Sequence, residues 1–223
     1  MTTQYEYWWS VGYRIDHWLR VAALVVLTFT GFYIHWPFLP GGTEGGFAVM
    51  GWMRFAHFVS AYILMLGLIV RIYLAFRSTF DADWRDFGLV RNLRNIPDIL
   101  LYYLFLTDTH KEYRRYNPLQ ALTYWFWALL IIFMALTGLA LYRGTVFGLI
   151  QAPDAFEWVN TVLGGRSYTR IWHFLGMWVF LITISIHVYM AASVGLIQRD
   201  HTFRSMFTGY KLKVGGKPEK AAE

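Results

Sequence analysis

The 223-residue chain is 57% hydrophobic and 20% aromatic but only 15% charged, whereas a soluble domain carries about a quarter charged residues. It has no cysteine, which excludes a disulfide framework, thiolate-held iron–sulfur clusters and covalent haem attachment through CxxCH. Any metal or cofactor is left with His, Met or oxygen ligands. The net charge is +6, and with the apolar residues gathered in long runs, basic loops facing anionic lipid account for it better than nucleic acid does.

In chain order, the opening "MTTQYEYWWS" lacks a cationic stretch followed by an apolar one, so no cleavable signal peptide is expected. Four segments then reach spanning length: Ile15–Trp36, Trp52–Phe76, Leu119–Tyr142 and Ile171–Ile197. Each exceeds the roughly 20 residues needed to cross a hydrocarbon core, and Trp and Tyr gather near their ends as interfacial anchors. A glycine-rich turn, "PGGTEGG", joins the first two. The longer loop Arg77–Pro118 contains "ILLYYLF", too short to cross and expected to lie at the interface. The expected fold is an all-α integral membrane bundle of four spans, one domain over residues 1–210. A polar tail, 211–223, reads as a mobile end.

Sixteen of the twenty Lys and Arg fall in the N-terminal segment, the inner end of span two, the Arg77–Pro118 loop and the C-terminal tail. Arg54, Arg143, Arg166 and Arg170 are the four on the other side. The positive-inside rule then puts both termini in the cytoplasm.

That topology assigns depths to the histidines. His17, early in an outgoing span, lies near the cytoplasmic face; His57, early in an incoming span, lies near the outer face. Span four carries His173 near the outside and His187 near the inside. These two are 14 residues apart, about 40° short of four full turns, so both rings leave one helix face roughly 21 Å apart. The rings sort into an outer pair, His57 with His173, and an inner pair, His17 with His187. Two histidines from different helices at one depth are what bis-imidazole ligation of a b-type haem requires. Both axial positions are then filled, so the chemistry implied is electron transfer, with two haems forming a wire across the bilayer. His35, His110 and His201, at a helix end, in a loop and in the tail, read as ordinary structural histidines.

The neighbours add detail. "RIDH", "RFAH" and "RIWH" place Arg14, Arg54 and Arg170 three residues before a candidate ligand, on its helix face and its aqueous side. There they are candidates for the haem propionates; anchoring helix ends at the interface is the other use of such residues. Gly31 falls at the depth of the outer pair and Gly138 near the outer end of span three, where the absence of a side chain makes room for a flat macrocycle or for close helix packing.

The strings "RIDHW", "MRFAHFVSAYILMLGLIVRIY", "YNPLQ", "MALTGLALY", "WHFLGMW" with "HVY", and "MFTGYK" resemble the cytochrome b subunit of membrane-bound uptake nickel–iron hydrogenases, over essentially the whole chain. The resemblance implies a bacterial inner-membrane protein with two b haems and His17, His57, His173 and His187 as axial ligands. It also implies periplasmic hydrogenase small and large subunits as partners and a quinone as electron acceptor. Some relatives carry a second His after the one matched by His173; Phe174 stands there in this chain. The cytochrome b subunit of formate dehydrogenase is a more distant likeness. Its quinone pocket is similar to "YNPLQ", which makes Asn117 and Gln120, beside Tyr116, candidates for a quinone site; capping the helix that starts there is the other use of Asn117. A formate dehydrogenase subunit, a standalone di-haem quinone oxidoreductase, a haem-free membrane anchor and a histidine-based proton transporter are the competing readings.

Overall fold

The computed structural model describes residues 4–38, 46–77, 84–103, 106–107, 116–198 and 201–213. A short strand β1 (Gln4–Tyr7) leads into α1 (Val11–His35), where the Ser10 hydroxyl caps the helix by accepting from the Tyr13 amide at 3.2 Å. α2 (Gly46–Arg77) returns across the bundle, and α3 (Leu89–Tyr103) packs beside α4 (Pro118–Leu141). A two-residue hairpin, β2 (Thr145–Val146) with β3 (Ile150–Gln151), runs into α5 (Ala152–Val162). α6 (Arg166–Gln198) is the last long helix, followed by α7 (Thr202–Thr208) and β4 (Tyr210–Lys213). Among the described residues α1, α2, α4 and α6 are long and apolar enough to cross a membrane. The fold is the expected all-α membrane bundle.

Apolar side chains face both inward and outward on these four helices. Leu64, Ile131 and Phe180 are buried at the centre, with Leu24, Leu27, Leu68, Leu130, Met134 and Ile184 around them. Val25, Leu66, Ile69, Leu129, Ile182 and Ile186 stay more than half exposed. A helix that is hydrophobic all round needs an apolar surround on its outer side, and lipid supplies it.

At the end of the bundle that carries the chain termini, β1 and β4 pair antiparallel, with Glu6 opposite Lys211 and Tyr7 opposite Tyr210. The expectation of a mobile end beginning at Lys211 is therefore corrected for Lys211–Lys213, which is tied to the N-terminal segment. Side chains of α1 hold α7 beneath this clasp: Trp18 Nε1 donates to the Met206 carbonyl at 3.0 Å, and the Arg14 guanidinium donates to that of Phe207. Gly209 closes α7 at φ 85°, a conformation a side chain resists, and a Cβ there would meet Tyr7 and the Trp9 carbonyl at 2.8 and 3.0 Å.

The opposite, distal end also has more structure than a loop. Asn160 is 1% exposed; its Nδ2 donates to the Ala140 carbonyl at 3.0 Å, and Arg166 Nη2 donates to Leu141 at 2.6 Å. Both carbonyls belong to the last turn of α4, where helix geometry leaves acceptors unfilled. The interfacial piece of the long loop also begins earlier than its apolar core suggested. α3 starts at Leu89, includes Pro97, and buries Ile99.

Candidate functional site

At the distal end, His57 of α2 and His173 of α6 face one another with ring centroids 6.4 Å apart. Each ring is held by a threonine of a third or fourth helix. Thr30 Oγ1 on α1 lies 2.9 Å from His57 Nδ1, and Thr137 Oγ1 on α4 lies 2.8 Å from His173 Nδ1. Both hydroxyls already donate to carbonyls of their own helix, Thr30 to Val26 at 2.6 Å and Thr137 to Phe133 at 2.8 Å. The oxygens are left to accept, so each Nδ1 carries the proton and each Nε2 keeps its lone pair. That is the tautomer a metal-ligating imidazole needs, with its second nitrogen fixed by an outer partner.

The separation suits a shared metal. An imidazole nitrogen lies about 2 Å from a bound metal and about 1 Å from its own ring centroid, so two rings on opposite sides of one metal have centroids about 6 Å apart. The glycines complete the setting. A Cβ on Gly31 would lie 3.5 Å from His57 Cε1, and one on Gly138 would lie 3.2 Å from His173 Cε1. Thr30 and Thr137 thus do one job twice, each orienting a ring, and Gly138 makes room beside His173, where a Cβ would be tight. These features fit a b-type haem between His57 and His173.

Toward the terminal end, α1 and α6 bring His17 and His187 close enough to interact electrostatically. His17 Nδ1 is buried without a hydrogen bond, a state that costs about 1–3 kcal/mol unless something else engages the ring. His187 lies edge-on to Trp127 with centroids 5.1 Å apart, and Trp127 Nε1 donates to Thr183 Oγ1 at 2.9 Å. Two imidazoles from different helices, close enough to interact, fit a second ligand pair. The apolar centre around Leu64, Ile131 and Phe180 belongs to the same bundle. Among the described residues no group of three His, Asp or Glu converges as a protein-only metal site would need.

The remaining candidates separate. Arg14 lies on the expected helix face, but its guanidinium is engaged by the Phe207 carbonyl of α7. Arg54 and Arg170 are exposed at the distal end. Asn117 and Gln120 form a reciprocal capping box at the start of α4. Asn117 Oδ1 accepts from the Gln120 amide at 2.8 Å, and Gln120 Oε1 accepts from the Asn117 amide at 3.0 Å. Their side-chain oxygens serve the helix. His35 stacks on Phe174 at 3.9 Å, His201 precedes α7, and His110 lies outside the described residues.

Sequence reasoning missed three groups. Thr30 and Thr137 are one; a Thr-Gly dipeptide within each of two spans was their only signal. Asp16 and Arg20 form an ion pair on α1, with Arg20 lying across Gly67 of α2 so closely that a Cβ would come within 2.8 Å of it. Arg71, Tyr13, Tyr116 and Tyr124 make the third. The Tyr13 and Tyr116 hydroxyls are 2.5 Å apart, and the Tyr116 and Tyr124 rings are 4.6 Å apart. The Arg71 guanidinium sits 5.5 Å from the Tyr13 ring centre and interacts electrostatically with Tyr116. Burial pushes the Tyr116 phenol well above its ordinary range, so it remains a neutral donor.

Residues 8–209 match the family described as prokaryotic cytochrome b561. The chain is similar to proteins named "Probable Ni/Fe-hydrogenase B-type cytochrome subunit". These include one from Azotobacter chroococcum at 32% identity over 96% of this chain and 91% of the relative. A second, from Cupriavidus necator, is 34% identical over 92% and 86% of the two chains. The "Probable Ni/Fe-hydrogenase 1 B-type cytochrome subunit" of Escherichia coli K12 is 31% identical over 95% and 93%. With its four apolar helices, the chain is a multi-pass protein of the bacterial inner membrane with a cytochrome b electron-transfer role, and it belongs to the prokaryotic cytochrome b561 family.

Proposed function

We propose that this chain is the di-haem b subunit that carries electrons from a periplasmic nickel–iron hydrogenase across the membrane to a quinone. The observation that carries the reading is the distal pair, where two threonines leave the Nε2 atoms of His57 and His173 free to bind one iron. The names of the relatives support the donor, and the crowding of Lys and Arg at the terminal end supports cytoplasmic termini.

When bound, a b haem supplies a one-electron carrier whose potential depends on its axial ligands and surroundings. The chain's own residues do the rest. His57 and His173 hold the outer group, and His17 and His187 the inner one. Thr30 and Thr137 fix the outer tautomers, while the leucine-rich centre keeps water out between the two depths. Arg54 and Arg170 sit at the distal end for anionic groups near the outer pair. Near the inner pair, the amides of Asn117 and Gln120 supply donors to a quinone oxygen. The surface around the hairpin and α5 is the docking face for the hydrogenase subunits; residues 39–45 of the loop 37–47, also expected there, lie outside the described residues.

The complex should be purified in detergent and its haem counted by pyridine haemochrome against protein. Two b haems per chain, reducible by hydrogen, are expected. His173→Ala should remove one while leaving a second that requires His187. A preparation without haem, or a partner bound at the terminal end, would overturn the reading.

A further inference from the structure

Arg14, Arg54 and Arg170 were the cations expected to meet the propionates, and the one nearest the inner pair, Arg14, is turned to α7. The inner half of the bundle holds another cation. The contacts of Gly67 set the antiparallel register of α1 and α2, since it faces Arg20 and Asp16. Arg71 lies one turn from Gly67 toward the terminal end, at the level of Tyr13, and its guanidinium carbon is 5.5 Å from the Tyr13 ring centre. Tyr13 is in turn one turn from His17, on the same face of α1 and on its terminal side. Arg71 therefore sits inside the bundle, immediately on the terminal side of the inner histidines.

Its surroundings there are hydrogen-bond donors and aromatic walls. Tyr116 lies close enough to Arg71 to interact electrostatically, and its hydroxyl is 2.5 Å from that of Tyr13. The Phe87 ring centre is 5.0 Å from the guanidinium, and Tyr124 packs on Tyr116. A charge within a membrane helix is costly and is usually tied to a function. A planar guanidinium beside phenol hydroxyls presents the fork that binds carboxylate.

We propose that Arg71, with the Tyr116 hydroxyl beside it, binds a propionate carboxylate of the haem held by His17 and His187. The assignment rests on the di-haem reading above. A cation at this point favours the reduced, less positive haem, so Arg71 raises the potential of the inner group relative to a neutral residue.

The test is a redox titration of the purified hydrogenase–cytochrome complex, followed by absorbance, with haem counted first. The outer potential is identified as the one lost in His173→Ala. In Arg71→Gln the other potential should fall, with reduced occupancy of that haem and no change in the outer one. Arg71→Lys keeps the charge and should lie nearer to the wild type. If Arg71→Gln fails to assemble, Tyr116→Phe carries the test and should shift the inner potential alone, by a smaller amount. An unchanged inner potential at full occupancy, or a shift confined to the outer haem, overturns the inference while leaving the di-haem reading intact. Wild-type complex without haem overturns both.

Discussion

Thr30 on α1 holds His57 on α2 through a 2.9 Å contact between Oγ1 and Nδ1, and the hydroxyl's own proton is already committed to the Val26 carbonyl. The direction of the bond is thereby fixed, and with it the nitrogen left for a metal. Thr137 repeats the device for His173. Replacing either threonine by Val preserves shape and removes the acceptor. Outer partners of metal-bound histidines are typically worth about 10- to 100-fold in affinity. Thr30→Val and Thr137→Val should each weaken retention of the outer haem by about tenfold or more, measured as haem loss to apomyoglobin, with the inner haem unaffected.

The two glycines beside these threonines should differ in tolerance. A Cβ at Gly31 would lie in ordinary contact, 3.5 Å from His57 Cε1, whereas at Gly138 it would lie only 3.2 Å from His173 Cε1. Gly31→Ala should therefore keep its haem. Gly138→Ala should push the His173 ring by a few tenths of an ångström, which alters the low-spin electron paramagnetic resonance signal of the outer haem. Equal behaviour of the two variants would contradict this geometry.

Much of the site was legible because the bilayer simplifies the code. Runs of about 20 apolar residues, a Lys and Arg asymmetry and four histidines at two depths suffice to pair His57 with His173 and His17 with His187. Thr30 and Thr137 escaped because a threonine in a membrane helix ordinarily bonds its own helix four residues back, as Thr28, Thr123 and Thr183 also do here. Only the neighbouring helix shows that Thr30 and Thr137 each have a histidine as second partner. The Arg-x-x-His pattern singled out Arg14, but sequence spacing cannot reveal a competing acceptor nearly 200 residues away, the Phe207 carbonyl. The β1–β4 clasp escaped for the same reason. Its strands are four residues each and find each other only after the bundle has formed.

Asn160 offers a test of how the distal surface is held. Its Nδ2 fills the Ala140 carbonyl in a site that is 1% exposed. Asn160→Ala leaves that buried carbonyl without this donor, at a cost of about 1–3 kcal/mol. Thermal unfolding in detergent should begin earlier, and proteolysis should reach α5 first. Because α5 lies on the proposed docking face, the variant should also lose hydrogenase subunits during purification before it loses the inner haem.

The capping box at Asn117 and Gln120 separates two roles that a simple alanine change would merge. Each side-chain oxygen fills an amide at the start of α4, so Asn117→Ala costs about 1 kcal/mol whether or not a quinone binds nearby. Serine caps a helix about as well as asparagine, yet it lacks the amide that would donate to a quinone oxygen. Asn117→Ser should therefore keep the thermal stability of the wild type, and its haems should still be reduced by hydrogen. Its quinone turnover should nevertheless fall, and adding Gln120→Glu, which keeps the box through its carboxylate, should lower turnover further. Haem reduction and quinone reduction are read in the same cuvette, so a slow second step with a normal first step isolates the acceptor site. Wild-type turnover in the double variant would move the quinone away from the start of α4 and leave Asn117 and Gln120 as a cap alone.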